Sequence, residues 1–469
     1  MSRIGRAGVK KTLYYLRRNG LKNTCYAIRE QLARGRQEPY QWIPPGEEEL
    51  ARQRTVCRVS EPLYTISVVV PCYRTAQDHL LEMIESVRHQ TYPLWELILA
   101  DATEDDSVEK VVRDLADPDS RIRYIRLSEN RGIAENTNRG IEATTGDYVG
   151  LLDHDDLLTQ DALYEMAMAI EAGKKAGVVP KLLYSDEDKC SGDGRQYYDP
   201  NFKEEFNLDL LLSNNYICHF MVMEGALIRD LLLRGEYDGA QDYDLVLRAA
   251  ARLTGQQVVG QRLSKQQSTG QEGSVVHVPK VLYHWRCHSA STAENPQSKL
   301  YAYEAGRRAV QSYADEKGWD VSVVDTPHLG FYRLEYPGDI FEIREDVGAV
   351  GGPLYKKKKL SSGRLAADGS VFYVGLRRGY SGYLHRASLP QDAEAVDIRN
   401  ICVRRELHEL FRETVGVSWQ TVPGEDIFDV SALPEDTDYT AVSLALGRAF
   451  HRAGYRVLYL PERARTLRV

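Results

Sequence analysis

Two kinds of hydrophobic pattern alternate along the first third of the chain. Runs such as "TISVVV" (65–70), "LWELILA" (94–100) and "YVGLL" (148–152) are apolar almost throughout, the mark of strands buried on both faces. Between them apolar residues recur at three- and four-residue spacing. In "DHLLEMIESVRHQ" the residues Leu80, Leu81, Ile84 and Val87 share a helical face; "VEKVVRDLA" and "IAENTNRGIEAT" are helical too, and "IRYIRL" reads as a further strand. This succession predicts βαβ units: an α/β fold with a Rossmann-type, mostly parallel sheet and helices on both faces.

Ligands of such sheets sit beyond the carboxyl ends of the strands. Four segments fall there: Pro71-Cys72-Tyr73, Asp101-Ala102-Thr103, Asn130-Arg131-Gly132 and Asp153-His154-Asp155-Asp156. Each alone is a weak signal, but together they mark one edge of one sheet as a site. Three carboxylates crowded at the mouth of a core strand repel one another unless a cation holds them. A calcium loop starting at Asp153 would need glycine and an acid where Leu158 and Tyr164 stand, and capping of a helix accounts for one aspartate at most.

From about Val178 short strands mix with helices and long polar loops, as in "LLYSDEDK", "GAQDYDLVLRAAARL" and "VVHVPKVLYHWRCHSAST". The acids of "YSDEDK" fall in a predicted loop, where acceptor-binding and a solvated turn both remain open. At 469 residues the chain is too long for one core. Its 43% hydrophobic and 27% charged residues are those of a globular protein, and a net charge of −8 argues against a nucleic-acid partner. The seven scattered cysteines form no C-x-x-C pair, no run is long enough to span a bilayer, and no secretory signal opens the chain, so a cytoplasmic location is expected. Charge is uneven: up to Arg36 there are ten Lys or Arg and one acid, Glu30. This helical stretch is either a solvated pair of helices or a peripheral contact with the inner face of an anionic membrane. "YQWIPPGEEEL" then reads as a linker into a short helix.

The ordered set "VVVPCYR", "LADATEDDS", "NRGIAENTNRGIEATTGDYVGLLDHDD" and "GAQDYDLVLR" resembles the family 2 glycosyltransferases of bacterial cell-surface glycan synthesis, which have the GT-A fold. The resemblance covers about Thr65 to Ser291. It departs from the family pattern at "DATEDDS", where D-D-G-S is usual, and at Gln241, where an acid is usual. It implies a nucleotide-diphosphate sugar donor, a divalent cation (Mn²⁺ or Mg²⁺) and inverting transfer to a glycan or lipid-linked acceptor. By the same resemblance Pro71, Tyr73, Asp101, Arg131, Asn138 and Asp153 would bind the nucleotide sugar, Asp101 at its base and Asp153 at the ribose or the metal shell. Asp155 and His288 would hold the metal, with His284 a rival, and Asp242 would be the general base, with Asp244 a rival. The implied division is a basic helical segment and linker (1–62), a GT-A catalytic domain (63–325) and a degenerate C-terminal lobe (326–469).

The residues disfavour two rival functions. A nucleotidyltransferase should show a glycine-rich loop after the first strand, and "PCYRTAQD" has none. A non-catalytic sugar- or partner-binding relative would lack Asp155 or Asp242, and both are present. The lobe itself echoes the first half: "VGAVGGPLYKKKKLSSG" follows "AGVVPKLLYSDEDKCSG", with Lys356–Lys359 set against Ser185–Asp188, and "TDYTAVSLALGRAFHRAGYRVLYLP" follows "QDYDLVLRAAARLTGQQVV". It has no counterpart of the aspartate cluster and is not expected to bind a sugar nucleotide.

Overall fold

The computed structural model describes residues 6–34, 40–59, 64–115, 119–254, 274–287 and 300–467. The chain divides into two compact units, one of residues 40–206 and 215–313, the other of residues 1–39, 207–214 and 314–469.

The chain begins with α1 (Arg6–Arg34), two helices merged across Gly20, and α2 (Glu47–Val59) follows the proline-rich linker. The predicted alternation then appears as β1 (Ile66–Cys72), α3 (Gln77–Arg88), β2 (Trp95–Asp101), α4 (Ser107–Arg113), β3 (Ile122–Arg126), α5 (Ile133–Glu142) and β4 (Tyr148–Leu151). Strands in the order β3-β2-β1-β4 form a parallel block. Alternate residues of β1 point to opposite faces. Ile66, Val68 and Val70 join the core with Leu80, Met83, Ile84 and Val87 of α3, while Val69 meets α5 on the other side. Gly140 makes that second contact possible, because a Cβ there would lie 2.5 Å from a Val69 methyl. The buried stripe of α3 runs through Met83, and Leu81 sits at its rim, 43% exposed.

After β4 come β5 (Leu157–Leu158), α6 (Ala162–Lys175), β6 (Leu182–Ser191), β7 (Tyr197–Asn201), α7 (Leu208–Leu211, in the second unit), β8 (Met221–Glu224), α8 (Gly225–Leu231), α9 (Gln241–Thr254) and β9 (Val275–Cys287). Here the sheet continues β4-β8-β6-β9-β5: β8 runs antiparallel to both β4 and β6, β9 parallel to β6, and β5 antiparallel to β9.

The second unit repeats part of this layout. Its central strand Val347–Gly351 has Ile401–Val403 antiparallel on one side and Arg456–Tyr459 parallel on the other. The helices His408–Val415 and Tyr439–Arg452 lie between those flanking strands in the chain, as α8 and α9 lie between β8 and β9. The registers match: Leu182, Leu183 and Tyr184 pair with Met223, Val222 and Met221 and with Val275, Val276 and His277, while Ala349, Val350 and Gly351 pair with Val403, Cys402 and Ile401 and with Val457, Leu458 and Tyr459. The register sets Ser185–Asp188 against Gly352–Tyr355, four residues away from the lysine run that sequence comparison put there. His277, which meets Asp186, corresponds to Tyr459, a buried hydroxyl with no hydrogen-bond partner among the described residues. The second copy has thus lost the acids of β6 and kept the backbone.

A buried ion network organises this unit. The Arg344 guanidinium, fully buried and stacked on Trp319, contacts Asp209 of α7 at 3.0 and 3.1 Å and Asp346 at 2.8 and 2.9 Å; Arg456 pairs with Asp392 at 2.9 Å. Replacing Arg344 by alanine leaves the buried Asp209 carboxylate without its cation, while Asp346 keeps Arg456 at 3.4 Å. Chemical denaturation of that variant is expected to show a loss of about 3–5 kcal/mol.

Candidate active site

The carboxyl ends of β1, β2 and β4 lie side by side, since Cys72 pairs with Asp101 and Val69 with Leu151. Of the residues predicted there, Asp101 is completely buried: it accepts hydrogen bonds from the Thr103 amide (2.9 Å) and the Tyr124 hydroxyl (2.8 Å), with Arg126 3.8 Å away. Pro71 is the penultimate residue of β1, and Tyr73 just beyond donates from its hydroxyl to Glu104 at 3.0 Å. Arg131 is exposed and pairs with Glu129. Both ends of the Asn138 amide are occupied by the backbone of Leu233, at 2.9 and 2.8 Å, so this side chain fastens α5 to the segment after α8. Gly132, at φ 99°, opens α5 where a Cβ would collide with the Asp238 carboxylate, which accepts from the Ala134 amide at 3.1 Å. Asp238 thereby caps α5 from a distant part of the chain.

The aspartate cluster splits into two roles. Asp156 is buried, taking the Tyr283 hydroxyl (2.5 Å) and the Arg286 amide (2.7 Å). Burial pushes its carboxyl well above the usual range, and Asp155 and Asp153 add to this. Arg286, also buried, donates to the backbone carbonyls of Asp155 (2.6 Å) and Gly192 (2.9 Å) and reaches Glu82 at 2.7 Å. Asp156 and Arg286 therefore clamp the loop onto β9 and leave Asp153 and Asp155, both partly exposed, at its surface. Asp153 is raised by desolvation and by the Asp155 and Asp242 carboxylates, with His219 opposing. Asp242, in the first turn of α9, accepts from Asn215 at 3.1 Å, and its charge reaches Asp153. Asp244 faces the other way, buried between Arg234 and Arg248.

His219 was not singled out by the sequence. Its ring lies 3.9 Å from Asp153 and 3.6 Å from Glu187, stacked on Tyr283 at 5.0 Å between centroids. Burial alone would lower its pKa, but Glu187, Asp153 and Asp242 overcome this and bring it up to about 10. Nothing in "NYICHFMV" distinguishes this histidine from a core residue; only its neighbours do. His284 is buried, with Nδ1 2.5 Å from Asp188 and the rings of Trp42 and Tyr197 against it. His288 lies outside the described residues. Among the described residues no three His, Cys, Asp or Glu side chains are grouped to hold a metal ion.

The acids of "YSDEDK" are in β6 and buried, not in a loop. Each has a partner that offsets desolvation. Asp186 meets His277 Nε2 (2.8 Å) and the Lys203 amide (2.8 Å), Glu187 the His219 amide (2.6 Å), and Asp188 both His284 and the Tyr40 hydroxyl (2.8 Å). For His277, burial lowers the pKa but Asp186 and Glu205 raise it above its ordinary value. A histidine raised in the folded state stabilises most below its unfolded pKa of about 6.5, and that contribution fades as pH rises through the folded value. Denaturation at stepped pH should therefore show the gap between the native protein and His277→Asn to be widest below about pH 6.5.

Residues 67–232 match the family described as Glycosyl transferase family 2. This segment is a family 2 glycosyltransferase domain. The match stops short of Asp242 and β9, which complete the edge just described. The chain is similar to an uncharacterized protein, y4gI, of Sinorhizobium fredii (40% identity over 275 residues, 58% of this chain and 28% of that one). It is also similar to the O-antigen biosynthesis protein RfbC of Myxococcus xanthus (34% over 290 residues, 61% of this chain and 21% of that one). The match thus spans roughly a quarter of these relatives' own length. Among solved structures, S. aureus TarS 1-349 in complex with UDP-GlcNAc covers 53% of this chain and 66% of that one, at 17% identity and a TM-score of 0.39.

Proposed function

We propose that the chain transfers a sugar, with inversion, from a nucleotide-diphosphate sugar to a hydroxyl of a glycan or lipid-linked acceptor. The setting would be cell-surface polysaccharide synthesis on the cytoplasmic side of the membrane. The reading rests on Asp153 and Asp155 just beyond β4 in the segment that matches the family 2 model, with Asp242 within electrostatic reach of Asp153. The relative named for O-antigen biosynthesis supports the polysaccharide setting.

The donor set suits a hard cation. Mn²⁺ or Mg²⁺ is commonly held by one or two carboxylates together with substrate phosphates, so a complete protein cage is not required. Asp155 would hold it, with Asp153 beside it or on the ribose and His288 from the following segment; the cation would neutralise the departing diphosphate. Asp242 would take the proton of the acceptor hydroxyl as that oxygen attacks the anomeric carbon from the face opposite the diphosphate. Pro71, Tyr73, Asp101 and Arg131 would shape the nucleotide side, Asp101 by fixing the loop after β2. Asn138 would support it through α5. The C-terminal copy, without these acids, would help place the acceptor.

The test is incubation of the full chain with a panel of labelled sugar nucleotides, with Mn²⁺ and then with chelator. Metal-dependent release of sugar from one or a few donors is expected. Tight donor binding with no hydrolysis or transfer on any acceptor would instead assign the chain to the non-catalytic relatives.

A further inference from the structure

The second unit carries basic groups beside an uncovered apolar stripe. Past Gly20 (φ 74°) the latter half of α1 is keyed to this unit along one side. Glu30, buried, accepts from the amides of Ser381 (3.1 Å) and Gly382 (2.7 Å), and Tyr26 lies against Gly379. On another side Leu21, Ile28 and Leu32 are 72%, 41% and 68% exposed, with Cys25 exposed among them. At 3.6 residues per turn these four positions fall within an arc of about 60°. Lys22 and Arg29 border that arc and are exposed.

The turn that receives Glu30 is tied to a second basic element. Arg377 forms a bridge with Lys359, and the Arg378 amide donates to the Lys358 carbonyl at 2.8 Å. This joins the 377–382 turn to the hairpin of strands Leu354–Lys356 and Lys359–Ser362, whose lysines 356–359 are all exposed. Between Lys356 and Arg386 the sequence contains one acid, Asp368. The one acid up to Arg36, Glu30, is buried under the turn. A chain with a net charge of −8 thus carries a surface of two basic elements, the exposed side of α1 with its leucines and the lysine hairpin, joined through the 377–382 turn.

We propose that this surface docks the protein on an anionic lipid bilayer, the leucine stripe entering the boundary between headgroups and acyl chains while the lysines and arginines meet the lipid phosphates. Basic residues next to an apolar stripe are the combination that lets a helix lie in the interface plane. Each cation near such a surface adds to the attraction, and salt weakens it. A second copy of the chain fits less well, because pairing this surface with itself would oppose lysine to lysine. A polyanion in solution leaves the leucines unexplained. The inference rests on the proposed function only in giving the contact a purpose, an acceptor assembled at the membrane.

The experiment is flotation of the full chain with vesicles of phosphatidylcholine, with and without phosphatidylglycerol, at stepped salt. Binding is expected on the anionic vesicles, falling as salt rises, and little on phosphatidylcholine alone. Leu21→Ser with Leu32→Ser, and separately Lys357→Glu with Lys358→Glu, should each lower partitioning by about tenfold or more. Unchanged melting curves would show that the variants are folded; if the leucine pair unfolds, the lysine pair decides. Equal partitioning to both vesicle types, or variants that bind as the native chain does, would overturn the proposal. So would a dimer that the leucine pair converts to monomer while vesicle binding persists. Flotation needs no turnover, so a protein that binds vesicles without hydrolysing any donor counts against the transferase reading and supports the surface.

Discussion

Asp242→Asn is expected to lower turnover by about 10²–10⁴, the usual contribution of a general base, with donor affinity close to that of the native protein. The reason is positional. Asp242 stands in the first turn of α9, its carboxylate held by Asn215 at 3.1 Å and within electrostatic reach of Asp153. Asparagine keeps the shape and the contact with Asn215 but cannot take a proton. Steady-state turnover measured beside equilibrium binding of the nucleotide sugar separates the roles. A variant that binds donor weakly yet turns over normally would move Asp242 to the donor site, and one with native turnover and native binding would remove it from both.

Adjacent aspartates should fail in opposite ways. Asp155→Ala is expected to abolish metal-dependent transfer with a smaller loss of stability than Asp156→Ala, because this partly exposed carboxylate adds to the charge that raises Asp153 and Asp156. Asp156→Ala should cost about 3 kcal/mol or more, since it leaves the buried Tyr283 hydroxyl and Arg286 amide without their acceptor. Calorimetry and a transfer assay on the two variants form the test. A stable Asp156→Ala protein, or an Asp155→Ala protein that transfers at the native rate with added metal, would contradict the division of roles drawn from the geometry.

The sequence by itself determined the α/β alternation and the edge that carries the candidate site. The runs 65–70, 94–100 and 148–152 are apolar on both faces, and only a sheet covered on both sides can bury them. Local periodicity also located α3, α4 and α5. It could not decide which acids serve chemistry and which serve the fold, because that depends on partners distant in the chain. Asp153, Asp155 and Asp156 look alike in "LDHDD", yet Asp156 is fixed by residues of β9. Asp186, Glu187 and Asp188 read as a polar loop until β6 is seen to place each beside a group that offsets its burial. His219 has no signal in "NYICHF" at all, and comes between Asp153 and Glu187 only through the pairing of β8 with β4 and β6. The repeat reading shows the same limit: the sequence echo set Lys356–Lys359 against Ser185–Asp188, four residues from where the strand registers put them. Backbone pairing corrected it, since strand partners are set by hydrogen bonds between residues that sequence order does not bring together.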